Sequence, residues 1–168
     1  PVDGVHPLAP CFDTIGWFAR GGELMRRVGR VLLPNYAEHA DATRLLVARD
    51  CFELLSEEAA AALAPAVDRV AEHFASRQDV RLSADGPGNW MPHFRTLQMA
   101  DIWRTHGAWI EQAKPSFGPG VAERFATCAT ITPDAAAASR LVRDNVRARL
   151  TDLLAGDGVL CLPTAPGI

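Results

Sequence analysis

The segment Arg44-Leu45-Leu46-Val47-Ala48 decides the fold, because it is a compact apolar run of strand length. Runs of this kind are typical of strands that are buried inside a sheet. Shortly after it, Ser56 is followed by Glu57 and Glu58. A serine that caps a helix, with acids near the positive end of the helix dipole, predicts that a helix begins here. The local unit of this chain is therefore a buried strand followed by a helix.

The same alternation continues on both sides of this unit. Apolar residues recur at helical spacing in four other segments, residues 23–33, 90–112, 121–131 and 133–155. Thr132-Pro133-Asp134 marks the start of the last helix and Gly156 marks its end. Short apolar or alternating runs predict three more strands, at residues 14–20, 79–83 and 158–162. We therefore predict an α/β fold in one domain with at least three buried strands.

The composition excludes several classes of protein. The 168 residues are 48% hydrophobic and 22% charged, which is not the composition of a disordered chain. No apolar run approaches the roughly 20 residues that a membrane helix needs. A formal net charge of −3 argues against a nucleic-acid binder, whose domain is usually basic. Four scattered cysteines without a Cys-x-x-Cys pair predict reduced thiols and a cytoplasmic protein.

Residue types that commonly carry catalysis are scarce. Only Lys114 among the 17 basic residues is a lysine, and none of the serines lies in a Gly-x-Ser-x-Gly turn that would expose a nucleophile. The five histidines include no pair at the helical spacing that metal ligands favour. From the residues alone we predict no catalytic group, no metal site and no cofactor in this chain.

Two sets of side chains leave a binding role open. Three arginines share one face of the last long helix and form either an anion site or a solvated surface: Arg140, Arg143 and Arg147. Three aromatic residues either line an apolar pocket or belong to the core: Trp90, Phe94 and Trp103. Spacing alone favours the solvated surface and the core.

Four longer stretches are more specific. They are GVHPLAPCFDTIGWFAR at residues 4–20, LQMADIW at 97–103 with HGAWI at 106–110, FGPGVAERF at 117–125, and VLCLPTAP at 159–166. In this order they resemble the amidase signature family, most of all its indole-acetamide-hydrolase-like members. The chain departs from the family's usual pattern at Cys11, where serine is usual, and at Asp101, where glutamate is usual. A further departure is Gly21-Gly22, in place of an acidic helix opening.

The resemblance implies part of a mixed-sheet α/β fold with helices that flank the sheet. It also implies a hydrolase that converts a carboxamide to an acid and ammonia through a serine acyl-enzyme. In that family the catalytic serine, a second serine in a cis peptide and a lysine all lie N-terminal to the segment that matches Pro1. Residues 1–168 are accordingly expected to be a partial amidase domain, truncated at both ends and inactive alone.

The resemblance further implies two substrate contacts. Phe94 stands where an aromatic residue lines the acyl pocket, and Arg124 stands where glutamyl-tRNA amidotransferase A subunits place an arginine toward the substrate carboxylate. The expected partner of the full enzyme is a small-molecule amide, with no nucleic acid and no membrane. Because truncation exposes strand edges and apolar surface, we expect a homo-oligomer or association with the missing N-terminal portion.

Two other functions stay open at this point. The chain is then either a non-catalytic, amidase-derived binding or scaffold module, or a piece of a glutamyl-tRNA amidotransferase A subunit.

Overall fold

A computed structural model describes residues 4–33 and 42–165 of the chain. These residues fall into two compact units. The described part of the first, the helical unit, consists of residues 4–33 and 95–137. The described part of the second, the sheet unit, consists of residues 42–94 and 138–165. Whether residues 1–168 form a partial amidase domain stays a prediction.

Helices and strands alternate along the chain. The strands are β1 (Arg44–Ala48), β2 (Ser76–Val80) and β3 (Gly158–Cys161). The helices are α1 (Gly22–Leu32), α2 (Arg49–Phe52), α3 (Glu57–Ala71), α4 (Trp90–Ala113), α5 (Val121–Ala129) and α6 (Pro133–Leu154). A short 3₁₀ turn, Pro87–Asn89, precedes α4. This mixture of helices with a small sheet confirms the predicted α/β class.

The sheet unit is built around β1. The strand order is β2-β1-β3 and both pairings are parallel, with Leu46 opposite Gln78 on one side and Leu160 on the other. The side chains of β1 from Leu45 to Ala48 are almost completely buried. Because successive side chains of a strand point to opposite faces, they contribute to two apolar clusters, one containing Leu46 and Ala48 and the other Leu45 and Val47.

The helix starts agree with the capping signals in the sequence. Ser56 Oγ accepts a 3.2 Å hydrogen bond from the Ala59 N–H at the start of α3, and Thr132 Oγ1 does the same for Ala135 at the start of α6. Gly156 follows α6 with φ of +84°, a conformation that glycine adopts without steric cost. Within α3, Val67 is buried while Leu63 and Val70 are exposed.

The second strand begins earlier than the sequence suggests. We predicted residues 79–83, but β2 pairs with β1 from Ser76 to Val80. The strand also ends earlier than predicted, at Val80, because the Asp50 carboxylate, 2% exposed, accepts 2.9 Å hydrogen bonds through Oδ2 from the N–H groups of Leu82 and Ser83. The N–H groups of Leu82 and Ser83 therefore bond to a side chain and not to β1, and the hydrogen-bond ladder between β1 and β2 ends before them.

The expectation of at least three buried strands is wrong in two respects. Only β1 is buried, because β2 and β3 are the edges of the described sheet. The predicted strand at residues 14–20 is an irregular segment in which Ile15 is half exposed and Phe18 fully exposed. The apolar content of this segment suggested a strand, but the described chain offers it no strand partner.

Candidate functional site

The turn at residues 7–13 is fixed onto α4 within the helical unit. The Asp13 carboxylate accepts hydrogen bonds from the N–H groups of Leu8, at 2.8 Å, and Ala9, at 3.1 Å, which closes the turn. The Cys11 N–H donates to Asp101 Oδ2 at 2.8 Å. His106 Nε2 lies 3.0 Å from the Pro7 carbonyl oxygen. Two of the segments that resemble the amidase signature family, far apart in sequence, therefore form one local structure.

Asp101 is the charged centre of this contact. Its side chain is 6% exposed and also accepts a hydrogen bond from the Arg104 guanidinium. Burial by itself opposes ionisation, but the hydrogen bonds from Cys11 and Arg104 together outweigh it, so the pKa of Asp101 lies below its ordinary value. The same pairing raises the pKa of Arg104. Asp101 is thus an ionised structural anchor for the turn.

A cavity of about 690 Å³ lies beside this turn, between α4 and α5. Its apolar wall includes Leu8, Met99, Ile102 and Phe125, and Arg95 and Arg124 lie at the same wall. The volume is within the range of roughly 300–1,000 Å³ that small-molecule sites occupy. An apolar body with a few polar groups around it is the ordinary composition of a ligand site.

Arg124, one of the two residues predicted to contact substrate, lines this cavity from α5. Its side chain makes no ion pair or hydrogen bond with the described residues, and the same holds for Arg95. Sequence reasoning missed Arg95. The signal was its helical spacing to Met99 and Ile102, which places it on the face of α4 that lines the cavity.

Phe94, the other predicted contact, lies near the start of α4 and its side chain is 42% exposed. It belongs to the sheet unit, whereas Arg124 belongs to the helical unit. The role of each in substrate binding stays a prediction. Trp90 packs against the cluster of Leu46 and Ala48, in agreement with a core role.

Among the described residues, the serine hydroxyl that hydrogen-bonds to a base belongs to Ser139, which is buried. Ser56 caps α3, and Ser139 is 3% exposed on α6, with its Oγ 3.1 Å from His93 Nδ1. A serine and a histidine at this distance form the first half of a catalytic dyad. A hydroxyl this deeply buried in the middle of a helix does not reach a substrate, however, so this pair is a structural one.

Comparison with known proteins gives this geometry its context. No family model matches the chain. Over 98% of its length the chain is 32% identical to Amidase 1 of Arabidopsis thaliana, of which it covers 46%. It is 28% identical over 99% of its length to Amidase 1 of Oryza sativa subsp. japonica, of which it covers 45%. These similarities to amidases over nearly the whole chain support an amidase-signature-like family.

Two further comparisons extend this result. A solved amidase structure matches over 78% of this chain and 30% of its own chain, with a TM-score of 0.63 and 21% identity, which shows a shared fold. Outer envelope protein 64, chloroplastic, of Arabidopsis thaliana is 25% identical over 98% of the chain, which covers 32% of it. The chain thus spans less than half the length of these relatives.

Proposed function

We propose that this chain forms part of the substrate-binding body of an amide hydrolase. The reaction is the hydrolysis of a small-molecule carboxamide to a carboxylic acid and ammonia through a serine acyl-enzyme. The observation that carries the proposal is the similarity to Amidase 1 over nearly the whole chain. The 690 Å³ cavity beside α4 supports it, because its apolar wall and two arginines without an ion-pair partner among the described residues suit a small organic molecule.

The chain's own residues supply binding rather than bond cleavage in this proposal. A serine acyl-enzyme needs a nucleophile next to a base and to oxyanion donors. Ser56 and Ser139 are committed to structural hydrogen bonds, and Lys114 follows α4 in a loop. The serine, cis-serine and lysine of the reaction are therefore assigned to the remainder of the enzyme. Phe94 and Arg124 are assigned to the substrate.

The test uses the protein at its native length and a panel of aliphatic and aromatic amides, with ammonia release as the readout. Arg124→Gln is expected to raise KM more than it lowers kcat, since it removes a binding contact. Arg140→Gln is the matched control, because Arg140 is an exposed arginine on α6 outside the cavity. Residues 1–168 by themselves should release no ammonia above background. Serine-dependent turnover by these residues alone would contradict the proposal.

A non-catalytic binding or scaffold module is the second candidate. The similarity to Outer envelope protein 64, chloroplastic, favours it, since that relative is named for its location and not for an enzymatic activity. Ammonia release distinguishes the amide hydrolase from the binding or scaffold module. If the native-length protein binds amides without releasing ammonia, the module is correct and the hydrolase is not. The alternative of an amidotransferase A subunit predicts ammonia transfer to a tRNA-linked acceptor, which the same panel extended with that acceptor detects.

We also propose that exposed apolar side chains of this chain pack against another protein surface. Phe18 is fully exposed, Val31 is 81% exposed and Leu141 is 68% exposed. Apolar side chains exposed to this degree favour either a homo-oligomer or packing against the rest of the enzyme. Light scattering of residues 1–168 should show self-association that disappears at native length if the rest of the enzyme covers these side chains.

The proposed location is the cytoplasm, because all four cysteines are free thiols. Within the described residues no helix has the length and apolar character to cross a membrane. Cell fractionation followed by detection of the native protein tests the location.

A further inference from the structure

A second cavity, about 340 Å³ in volume, lies at the C-terminal end of α4 in the helical unit. Rings of Trp103, Phe117 and Phe125 form much of its wall, and Lys114 lies at the same wall. Phe125 also borders the 690 Å³ cavity that Arg95 and Arg124 line, called the arginine cavity below, but the other three residues do not. The second cavity therefore has its own chemistry, aromatic with one cation.

The aromatic wall is held in place by contacts between its rings. Phe117 stacks on Phe125 with ring centroids 4.8 Å apart and planes 26° apart. Trp109 meets Phe117 edge-on at 6.2 Å, and His106 meets Phe125 edge-on at 6.0 Å. Offset stacking and edge-to-face contacts are the favourable arrangements of aromatic rings. Two of the three wall rings, Phe117 and Phe125, are therefore held against each other.

Lys114 is the only lysine of the chain, and its position is unusual. It follows the last residue of α4 with φ of +43°, in the left-handed region that non-glycine residues rarely adopt. Asparagine or glycine would satisfy this backbone with less strain. Its ammonium has no ion-pair partner in the part of the chain that the structure describes. A positive charge at an apolar aromatic wall is therefore left available to an anion.

We propose that this cavity binds a small, flat aromatic anion. The aromatic ring lies against Trp103, Phe117 and Phe125, and the anionic group pairs with the Lys114 ammonium. The charge of the ligand follows from the uncompensated ammonium, and its flatness follows from the three rings. The site is separate from the proposed hydrolysis, which assigns no role to Lys114.

Equilibrium dialysis of the native-length protein with 2-naphthoate and with 2-naphthalenemethanol tests the proposal. The two probes share a ring system and differ in charge, and neither is an amide. We expect 2-naphthoate to bind about tenfold more tightly at low salt, because only the anion pairs with Lys114. This difference should shrink as ionic strength rises. Equal affinity for the two probes, or no binding of 2-naphthoate at millimolar concentration, overturns the proposal.

Substitutions locate the site. Lys114→Gln should remove the preference for the anion and Lys114→Arg should keep most of it, while Phe117→Leu should weaken both probes alike. Circular dichroism of each variant checks that the fold is retained, and the comparison of the two probes on the unaltered protein needs no variant at all. If Arg124→Gln rather than Lys114→Gln removes 2-naphthoate binding, the anion occupies the arginine cavity and the proposal is wrong.

Discussion

The backbone N–H of Cys11 donates a 2.8 Å hydrogen bond to the carboxylate of Asp101, 90 positions further along the chain. These are the two positions at which the sequence differs from the serine and glutamate that are usual in the resembling family. The two departures are therefore neighbours in the helical unit, on a turn and on the helix that holds it. Their contact makes them candidates for energetic coupling.

We expect the substitutions Cys11→Ser and Asp101→Glu to be non-additive in the free energy of unfolding. Residues in direct contact commonly couple by about 0.5–3 kcal/mol. The Cys11 side chain also hydrogen-bonds to Asp101, so Cys11→Ser changes the donor that the longer glutamate must meet. Chemical denaturation of the two single variants and the double variant measures the coupling. Asp144→Glu, on the exposed face of α6, replaces Asp101→Glu in a control cycle and should show additivity. Additive effects in both cycles would contradict the coupling.

The acid sensitivity of the helical unit should depend on Asp101. Since its pKa is lowered in the folded state, the stabilisation by its ionised form is complete above the ordinary aspartate pKa of about 3.9 and is lost as pH falls through the folded value. The difference in unfolding free energy between the unaltered protein and Asp101→Asn should be constant from about pH 7 to 5 and narrow below about pH 4. Urea titrations across this range measure it. A difference in unfolding free energy that stays constant down to about pH 3 would contradict the assignment of Asp101 as the stabilising ionised group.

Asp50 should be the most sensitive acidic residue of the sheet unit. Replacement by alanine leaves the buried N–H of Leu82 and the partly buried N–H of Ser83 without their acceptor, which costs about 1–3 kcal/mol for each buried group left unpaired. Hydrogen exchange at these two amides should accelerate at the same time. Asp79→Ala is the matched control, because Asp79 has an exposed ion pair with Arg49 at 3.4 Å and should cost less than about 1 kcal/mol. Unchanged exchange in Asp50→Ala would show that other groups hold these amides.

The cysteines should differ in their reactivity with iodoacetamide. Cys11 is exposed, whereas Cys51 is 8% exposed and Cys128 is 3% exposed. Burial also raises the pKa of the Cys51 and Cys128 thiols, so less of the reactive thiolate forms. Mass spectrometry should find Cys11 modified at least about tenfold faster than Cys51 and Cys128, with the difference abolished in denaturant. Rapid modification of Cys128 in the native protein would place it outside the core.

The elements that the sequence predicted best are those with strong local signals. The bounds of β1 were predicted correctly because every one of its central side chains is apolar, and α3 and α6 start where Ser56 and Thr132 cap them. The start of β2 was missed, because strand pairing fixes it and pairing is not a local property. The prediction of a strand at residues 14–20 was wrong for the same reason, since an apolar run becomes a strand only when another strand pairs with it.

The residues of the candidate site likewise divide into those that the sequence predicted and those that only the structure identified. Arg124 was identified through the resemblance, but its place at a cavity wall depends on how α5 lies against α4. Arg95 and Lys114 are candidate binding residues because each lines a cavity. Residue spacing in the sequence does not predict a cavity.

The sequence by itself determined the α/β class, the buried central strand, the helix starts and the resemblance to the amidase signature family, because each depends on residues that are close in the chain or on motifs in a fixed order. Only the tertiary structure decided the strand register, the pairing of Cys11 with Asp101 and the two cavities of the helical unit. These depend on contacts between segments separated by tens of residues. Such contacts form only when the buried apolar surface of the whole unit offsets the entropy of ordering the chain.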